Sequence, residues 1–205
     1  MNQEIILNII QTICVVIASF TAICGITSWR REAKWKRKYE LAEEVLSLFY
    51  ECKEKISIIR SPFGFVGEGK TRKRGENESP EDSKILDDAY VFIERYEKEK
   101  EPFLKLRALK FRFIAVFGKN SEEPFDEIWK IIREIVTAAN RLGYRYWLDN
   151  VKKEFSEIGH QTHLAEMRKN EDIVWATLDE NDQIVKKVDN CIKKIESYCL
   201  EIMKK

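Results

Sequence analysis

The chain lacks any marked excess of charge of one sign. Its 36 Lys and Arg residues nearly balance its 35 Asp and Glu residues, and the formal net charge is +1. The balance is uneven, because six basic residues and one Glu lie between Arg30 and Lys38, and the chain beyond them is slightly acidic. General affinity for nucleic acid is therefore not indicated, and we do not expect nucleic acid as a partner.

The chain has five cysteines and two histidines, and few of them have the spacings that are typical of metal sites. The five cysteines form no CxxC pair, and their odd number suits a reducing compartment better than a disulfide framework. His160 and His163 lie between Glu157 and Glu166 at every third residue, a spacing that could present metal ligands on a helix. Gly159 interrupts this run. The sequence therefore predicts no metal, no cofactor and no catalytic residues.

The alternation of apolar and polar residues that marks a β-strand is also absent, and apolar residues recur instead at helical spacing. One helical series runs from Leu41 to Ile59 and stops at Pro62. The sequence predicts an all-α fold: a membrane segment over residues 1–29, a basic stretch and helix over 30–60, a flexible loop over 61–83, and residues 84–205 forming an antiparallel bundle that packs with 39–60.

Proline and glycine predict the ends of the bundle helices. One helix is expected to start near Pro80, and the next to terminate at Gly118. A helix beginning near Pro124 is expected to close at Gly143, and a shorter one to reach Gly159. The final helix is predicted from about residue 181.

What stands out is an uncharged run of 25 residues from Ile5 to Trp29. As a helix it would extend roughly 37 Å, enough to cross a hydrocarbon core of about 30 Å. A cleaved signal peptide would need a basic segment ahead of the run, and a buried core helix would not end abruptly in Trp29-Arg30-Arg31. The sequence predicts a membrane-spanning helix.

Basic residues crowd one end of this run only, so the positive-inside rule keeps that end in the cytoplasm. We expect a single-pass protein of the bacterial inner membrane, with its N-terminus outside and its C-terminal domain cytoplasmic. The residues expected at the membrane surface are Arg30, Arg31, Lys34, Lys36, Arg37 and Lys38.

The predicted membrane helix has two unlike faces. One is rich in isoleucine, and the other carries small and polar residues at steps of three or four: Asn8, Gln11, Thr12, Val15, Ala18, Ser19, Ala22 and Gly25. Small residues let helices approach closely, and an amide in hydrocarbon seeks a partner. The sequence favours self-association of the helix through this face. The alternatives are a plain anchor that tolerates a few polar residues and, in a larger ring, a face that lines a wet pore.

A phosphate-binding pattern, GxxxxGK[ST], spans Gly64 to Thr71. That site requires a strand before the loop and a helix at its end, and the sequence offers neither. Nucleotide hydrolysis is disfavoured for this reason. The neighbouring cations Lys70, Arg72, Lys73 and Arg74 could touch anionic lipid or nucleic acid, but a solvated loop is the better interpretation.

Four features occur together: the apolar helix, the basic stretch, Ile59-Arg60-Ser61-Pro62-Phe63 and Phe117-Gly118. In this combination the chain resembles small single-pass bacterial proteins of mobile and defence-associated gene islands. The resemblance spans most of the chain, with Arg-Ser-Pro-Phe as its distinctive segment, and it carries no active site. It implies a role in phage defence, where small membrane effectors compromise the envelope.

Three hypotheses follow. The first is a self-associating membrane protein whose cytoplasmic helices sense or bind a protein partner and whose oligomer perturbs the membrane. The second is a passive tether or scaffold for a cytoplasmic partner. The third, disfavoured, is a nucleotide- or metal-dependent enzyme that acts through Lys70 or the histidine pair.

Overall fold

The computed structural model describes residues 2–153, 155–177 and 181–204, and within these ranges it contains helices and turns but no strand. The all-α prediction is confirmed. The α-helices are α1 (Asn2–Ile59), α2 (Pro80–Glu99), α3 (Glu101–Phe117), α4 (Glu123–Arg141), α5 (Leu148–Lys152), α6 (Glu157–Val174) and α7 (Gln183–Met203). A 3-10 turn, Lys119–Glu122, precedes α4, and a π-helical segment, Leu142–Trp147, joins α4 to α5.

The longest element, α1, contains 58 residues and would extend about 87 Å. Its first half leaves every large apolar side chain from Ile5 to Trp29 more than half exposed. Its second half enters the main hydrophobic core with α3, α4 and α7. The fully buried residues that α1 contributes there are Leu41, Ala42, Val45, Phe49, Cys52 and Ile59. One helix therefore joins an uncovered apolar rod to a packed domain.

The predicted helix boundaries at Pro80 and Gly118 are confirmed. Ser79 caps α2, because its side chain accepts a hydrogen bond of 3.1 Å from the backbone N–H of Asp82, and Pro80 occupies the first turn. Gly118 ends α3 with a φ of +92°, a conformation that favours glycine. The last helix begins at Gln183, close to the expected position.

The prediction that Gly143 closes a helix is wrong. Gly143 lies inside the π-helical segment, and the chain continues helically to Lys152. A Cβ atom on Gly143 would lie 2.7 Å from the Cβ of Ala89, so glycine serves here to let α2 pack closely against this segment. The predicted helix up to Gly159 is also wrong, since α5 ends at Lys152 and Gly159 lies in the first turn of α6.

Three cysteines lie in the core. Burial raises the pKa of Cys52, Cys191 and Cys199 to about 12. A thiol attacks alkylating reagents as its thiolate, and such a pKa leaves almost none at pH 8. We expect iodoacetamide to leave these three unmodified in a folded Cys14→Ala/Cys24→Ala variant and to modify all three in guanidinium, as counted by mass spectrometry. Rapid modification of the folded variant would contradict this prediction.

Candidate functional site

The first half of α1 is long and apolar enough, by length and composition, to cross a membrane. None of its apolar window is buried inside the molecule. Its isoleucines are each more than half exposed, although large apolar side chains are usually interior in soluble proteins. A contiguous exposed apolar surface of this length is typical of a membrane or protein interaction site.

The eight residues of the small-and-polar face are all exposed, but their polar groups fall into two classes. The hydroxyls of Thr12 and Ser19 donate to the carbonyl oxygens of Asn8 and Val15, each at 2.8 Å, and are therefore satisfied within the helix. The side-chain amides of Asn8 and Gln11 have no hydrogen-bond partner anywhere in the described part of the chain. These two amides are the polar groups that a neighbouring helix would satisfy.

The basic stretch lies within α1 and directly follows its apolar half. Five of its six cations are exposed, and Lys38 is half-buried with its Nζ 4.9 Å from the centre of the Phe117 ring. Lys36 makes a loose contact with Glu40 at 3.9 Å. Apart from these contacts, the cations form no ion pair with any described residue, so the stretch carries uncompensated positive charge between the apolar segment and the domain.

The GxxxxGK[ST] pattern does not form a phosphate cradle. It follows the end of α1, with no strand before it in the described chain. The backbone N–H of Gly69 and the hydroxyl of Thr71 both donate to Oε2 of Glu94, at 2.7 and 3.0 Å. Burial by itself raises the pKa of Glu94, but hydrogen bonds from Lys98, Thr71 and Gly69 outweigh it, and the pKa lies below its usual value. An internal carboxylate therefore occupies the donors that a phosphate would need.

Arg95 on α2 ties the loop between α1 and α2 to the domain. Its guanidinium donates to the carbonyl oxygens of Ser61 and Phe63, at 2.6 and 2.7 Å, and pairs with Glu68. The hydrogen bond from Arg95 lowers the pKa of Glu68. These contacts hold the first third of the loop against α2. The flexibility predicted for residues 61–83 stays a prediction.

Arg72 forms a second link between the loop and α2. Its side chain is buried and pairs with Glu78 and Asp87, at 2.8 and 3.0 Å, while Arg74 also reaches Asp87. Arg72 is thus an internal cation rather than a surface contact. Of the four predicted loop cations, Lys70 and Lys73 keep side chains without an ion pair among the described residues.

Arg60 is the most deeply buried charged side chain of the described residues, with 1% exposure. It donates to the carbonyl oxygens of Asp172, Ile173 and Trp175 at the end of α6, at 2.8–3.0 Å. It also pairs with Asp182, which caps the start of α7. The distinctive Arg-Ser-Pro-Phe segment therefore joins α1 to α6 and α7. The sequence signalled this segment only through the resemblance, and Glu94, Arg95 and Asp182 carried no signal.

The histidines contact aromatic rings and a backbone carbonyl oxygen. Nε2 of His163 lies 3.1 Å from the carbonyl oxygen of Tyr146, and its ring packs 4.5 Å from that of Phe155. His160 also contacts the Phe155 ring. Among the described residues, no three His, Cys, Asp or Glu side chains cluster closely enough to hold a metal ion.

Comparison with models of protein families, with curated proteins and with solved structures finds no match.

Proposed function

We propose that the protein is a single-pass membrane protein that associates with copies of itself through α1 and presents a helical sensing or interaction domain to the cytoplasm. The observation that carries the proposal is the pair of unpartnered amides, Asn8 and Gln11, on an uncovered apolar helix. In hydrocarbon no water would satisfy them, so a second helix is the available partner. The adjacent basic stretch supports a cytoplasmic domain and contact with lipid headgroups. The proposal includes no enzymatic activity.

An antiparallel arrangement of the bundle belongs to the same proposal. The ion pair between Lys53 and Asp189 and the hydrogen bond between Tyr50 and Glu196 support it, because the sequence numbers advance in opposite directions along α1 and α7. Glu99, two residues before α3, pairs with Lys55, and Phe117, the last residue of α3, contacts Lys38. The sequence numbers along α1 and α3 therefore also advance in opposite directions.

Disulfide crosslinking tests the proposed face. Ala22 lies on it, and Cys24 lies two residues further, about 200° around the helix and only about 3 Å deeper. We expect copper-phenanthroline oxidation in membranes to crosslink a Cys14→Ala/Cys24→Ala/Ala22→Cys variant efficiently. The matched Cys14→Ala variant, which keeps Cys24, should remain monomeric on gels. Equal crosslinking at both positions, or none at either, would contradict the proposal.

The amides can be tested separately. We expect Asn8→Ala combined with Gln11→Ala to weaken the association of detergent-solubilised protein, by about 0.6–2 kcal/mol for each interhelical hydrogen bond lost. Sedimentation equilibrium measures the change. Thr12→Val is the matched control, because the hydroxyl of Thr12 is already bonded within its own helix. Unchanged association of the double variant would show that the amides do not hold the copies together.

A membrane-perturbing role in phage defence is the more specific form of this proposal, and its support is the resemblance alone. It predicts that expression of the wild type depolarises the membrane. Expression of the Asn8→Ala/Gln11→Ala variant should depolarise the membrane less. A passive tether requires instead that an unrelated membrane helix replace residues 5–29 without loss of function.

A further inference from the structure

A cleft of about 970 Å³ opens beside the loop between α1 and α2. One part of its lining is the face of α2 that carries Lys84, Asp88 and Val91, and another part comes from the end of the π-helical segment, α5, α6 and the segment after α6. Residues of the loop complete the lining. A volume of this size is typical of sites for small organic ligands.

The walls of the cleft are aromatic and apolar. Trp147 and Trp175 line it together with Met167, Val151 and the loop residue Phe65. Trp147 is held by a hydrogen bond of 3.0 Å from its Nε1 to Glu171, and the ring of Trp175 packs edge-on against Phe92. The two indoles are therefore fixed in place, whereas Phe65 is 81% exposed at the rim.

The charges of the cleft do not cancel internally. Glu68 is engaged by Arg95, and Asp87 by Arg72 and Arg74. Lys70 and Lys84 line the cleft and form no ion pair with any described residue, and Asp88, one turn from Lys84, is the remaining carboxylate. The lining therefore carries two ammonium groups and one carboxylate that form no ion pair with a described residue.

We propose that this cleft binds a small organic anion that carries an aromatic or other flat apolar body. The indoles and Met167 would bury the flat body, and Lys70 and Lys84 would pair with the anionic group. Gly69 and Thr71 donate to Glu94 while the Lys70 side chain lines the cleft, so the anion meets an ammonium group without the amide cradle of a nucleotide loop. The inference goes beyond the proposed function and does not depend on self-association.

A lipid headgroup is not the expected ligand. The cleft lies beyond Ile59, thirty residues after Trp29, and therefore about 45 Å along α1 from the end of the apolar segment. In the proposed topology this distance places the cleft at the far end of the domain, in the aqueous phase. The ligand is thus a soluble anion.

The probe for the test is 8-anilinonaphthalene-1-sulfonate, a flat apolar body with one anionic group. The full chain is reconstituted in phosphatidylcholine nanodiscs, and dye fluorescence is titrated for each variant. Dye dissolved in the lipid contributes equally to all samples and cancels in the differences. We expect saturable binding to the wild type, and affinity roughly five- to tenfold lower for Lys70→Ala and for Lys84→Ala.

Matched controls separate the cleft from the rest of the surface. Lys73→Ala removes an exposed cation of the same loop that does not line the cleft, and it should leave the affinity unchanged. Asp88→Asn should tighten binding, since it removes the free carboxylate. Val151→Asp should weaken binding, whereas Ile158→Asp, outside the cleft, should not.

The proposal is overturned if the wild type shows no saturable binding, or if Lys70→Ala, Lys84→Ala and Lys73→Ala all bind alike. Displacement of the dye by sodium sulfate as well as by naphthalene-1-sulfonate would also overturn it, because the apolar body would then be unnecessary. Circular dichroism confirms that each variant is folded. A monomeric protein that still binds the dye would contradict the self-association proposal and leave the cleft proposal standing.

Discussion

Replacing Arg60 by leucine is expected to lower the free energy of unfolding of the helical domain by about 3–5 kcal/mol. The side chain satisfies three carbonyl oxygens of α6 and the segment after it, and it neutralises Asp182 where α7 begins. Leucine would remove this donor from the carbonyl oxygens and would leave the buried carboxylate of Asp182 with backbone donors but no cation. The cost of an unpaired buried carboxylate exceeds the gain from an added apolar side chain.

Thermal and guanidinium unfolding followed by circular dichroism measures this effect. Lys53→Ala is the control, because its ion pair with Asp189 is largely exposed, at 48% and 39% of the two side chains, and should contribute less than about 1 kcal/mol. Arg60→Lys should also destabilise, since an ammonium group cannot reproduce the planar fork of donors. If Arg60→Leu does not accumulate, Arg60→Lys supplies the measurement. Equal stability of wild type and Arg60→Lys would contradict the assignment.

The same pair makes stability depend on pH. Burial by itself raises the pKa of Asp182, but hydrogen bonds from Arg60 and from the backbone N–H groups of Val185 and Thr177 hold the pKa below its usual value. A carboxyl group with a lowered pKa in the folded state contributes stability that is present above its unfolded pKa of about 4 and is lost as pH falls through the folded value. The difference between wild type and Arg60→Leu should therefore narrow below about pH 4.

The second large effect is expected for Gly69→Ala. Gly69 has a φ of +81°, and a Cβ atom there would lie 2.0 Å from the backbone carbonyl oxygen of Asp87. The loop would have to move away from α2, which breaks the hydrogen bond to Glu94. The unfavourable φ alone costs about 1–3 kcal/mol, and the displaced loop adds to this.

Gly67→Ala is a closely matched control for this loop. Gly67 also has a positive φ, +99°, but a Cβ atom there would meet nothing within 4 Å. Both variants carry the backbone penalty, and only Gly69→Ala carries the clash. Limited trypsin digestion should cleave Gly69→Ala after Lys70 or Lys73 well before Gly67→Ala or wild type. Equal rates in the two glycine variants would contradict the close packing of Gly69.

Residues that act locally were predictable from the sequence. The apolar repeat from Leu41 to Ile59, Pro80 at a helix start and Gly118 at a helix end each act through the backbone within a few residues. Gly143 was misjudged because its role depends on Ala89, more than fifty residues earlier. A close approach between distant segments leaves no mark on the local pattern.

The roles of charged residues in the loop after α1 were also not predictable from the sequence. Arg72 and Arg95 look like surface cations in the sequence, since a solvated face and a buried ion pair use the same residue types. Their partners are fixed only when α2 folds against the loop. The cleft follows from the same packing, because its two walls come from segments about sixty residues apart.

Because α1 is one continuous helix, its length fixes the rotation of the domain about the helix axis relative to the apolar half. Each residue inserted between Arg31 and Lys34 would turn the domain by about 100° about the helix axis and move it about 1.5 Å outward. Seven inserted residues would restore the original azimuth to within about 20°. The number of residues separating Ala22 from Leu41 therefore decides which side of the domain a neighbouring copy would meet.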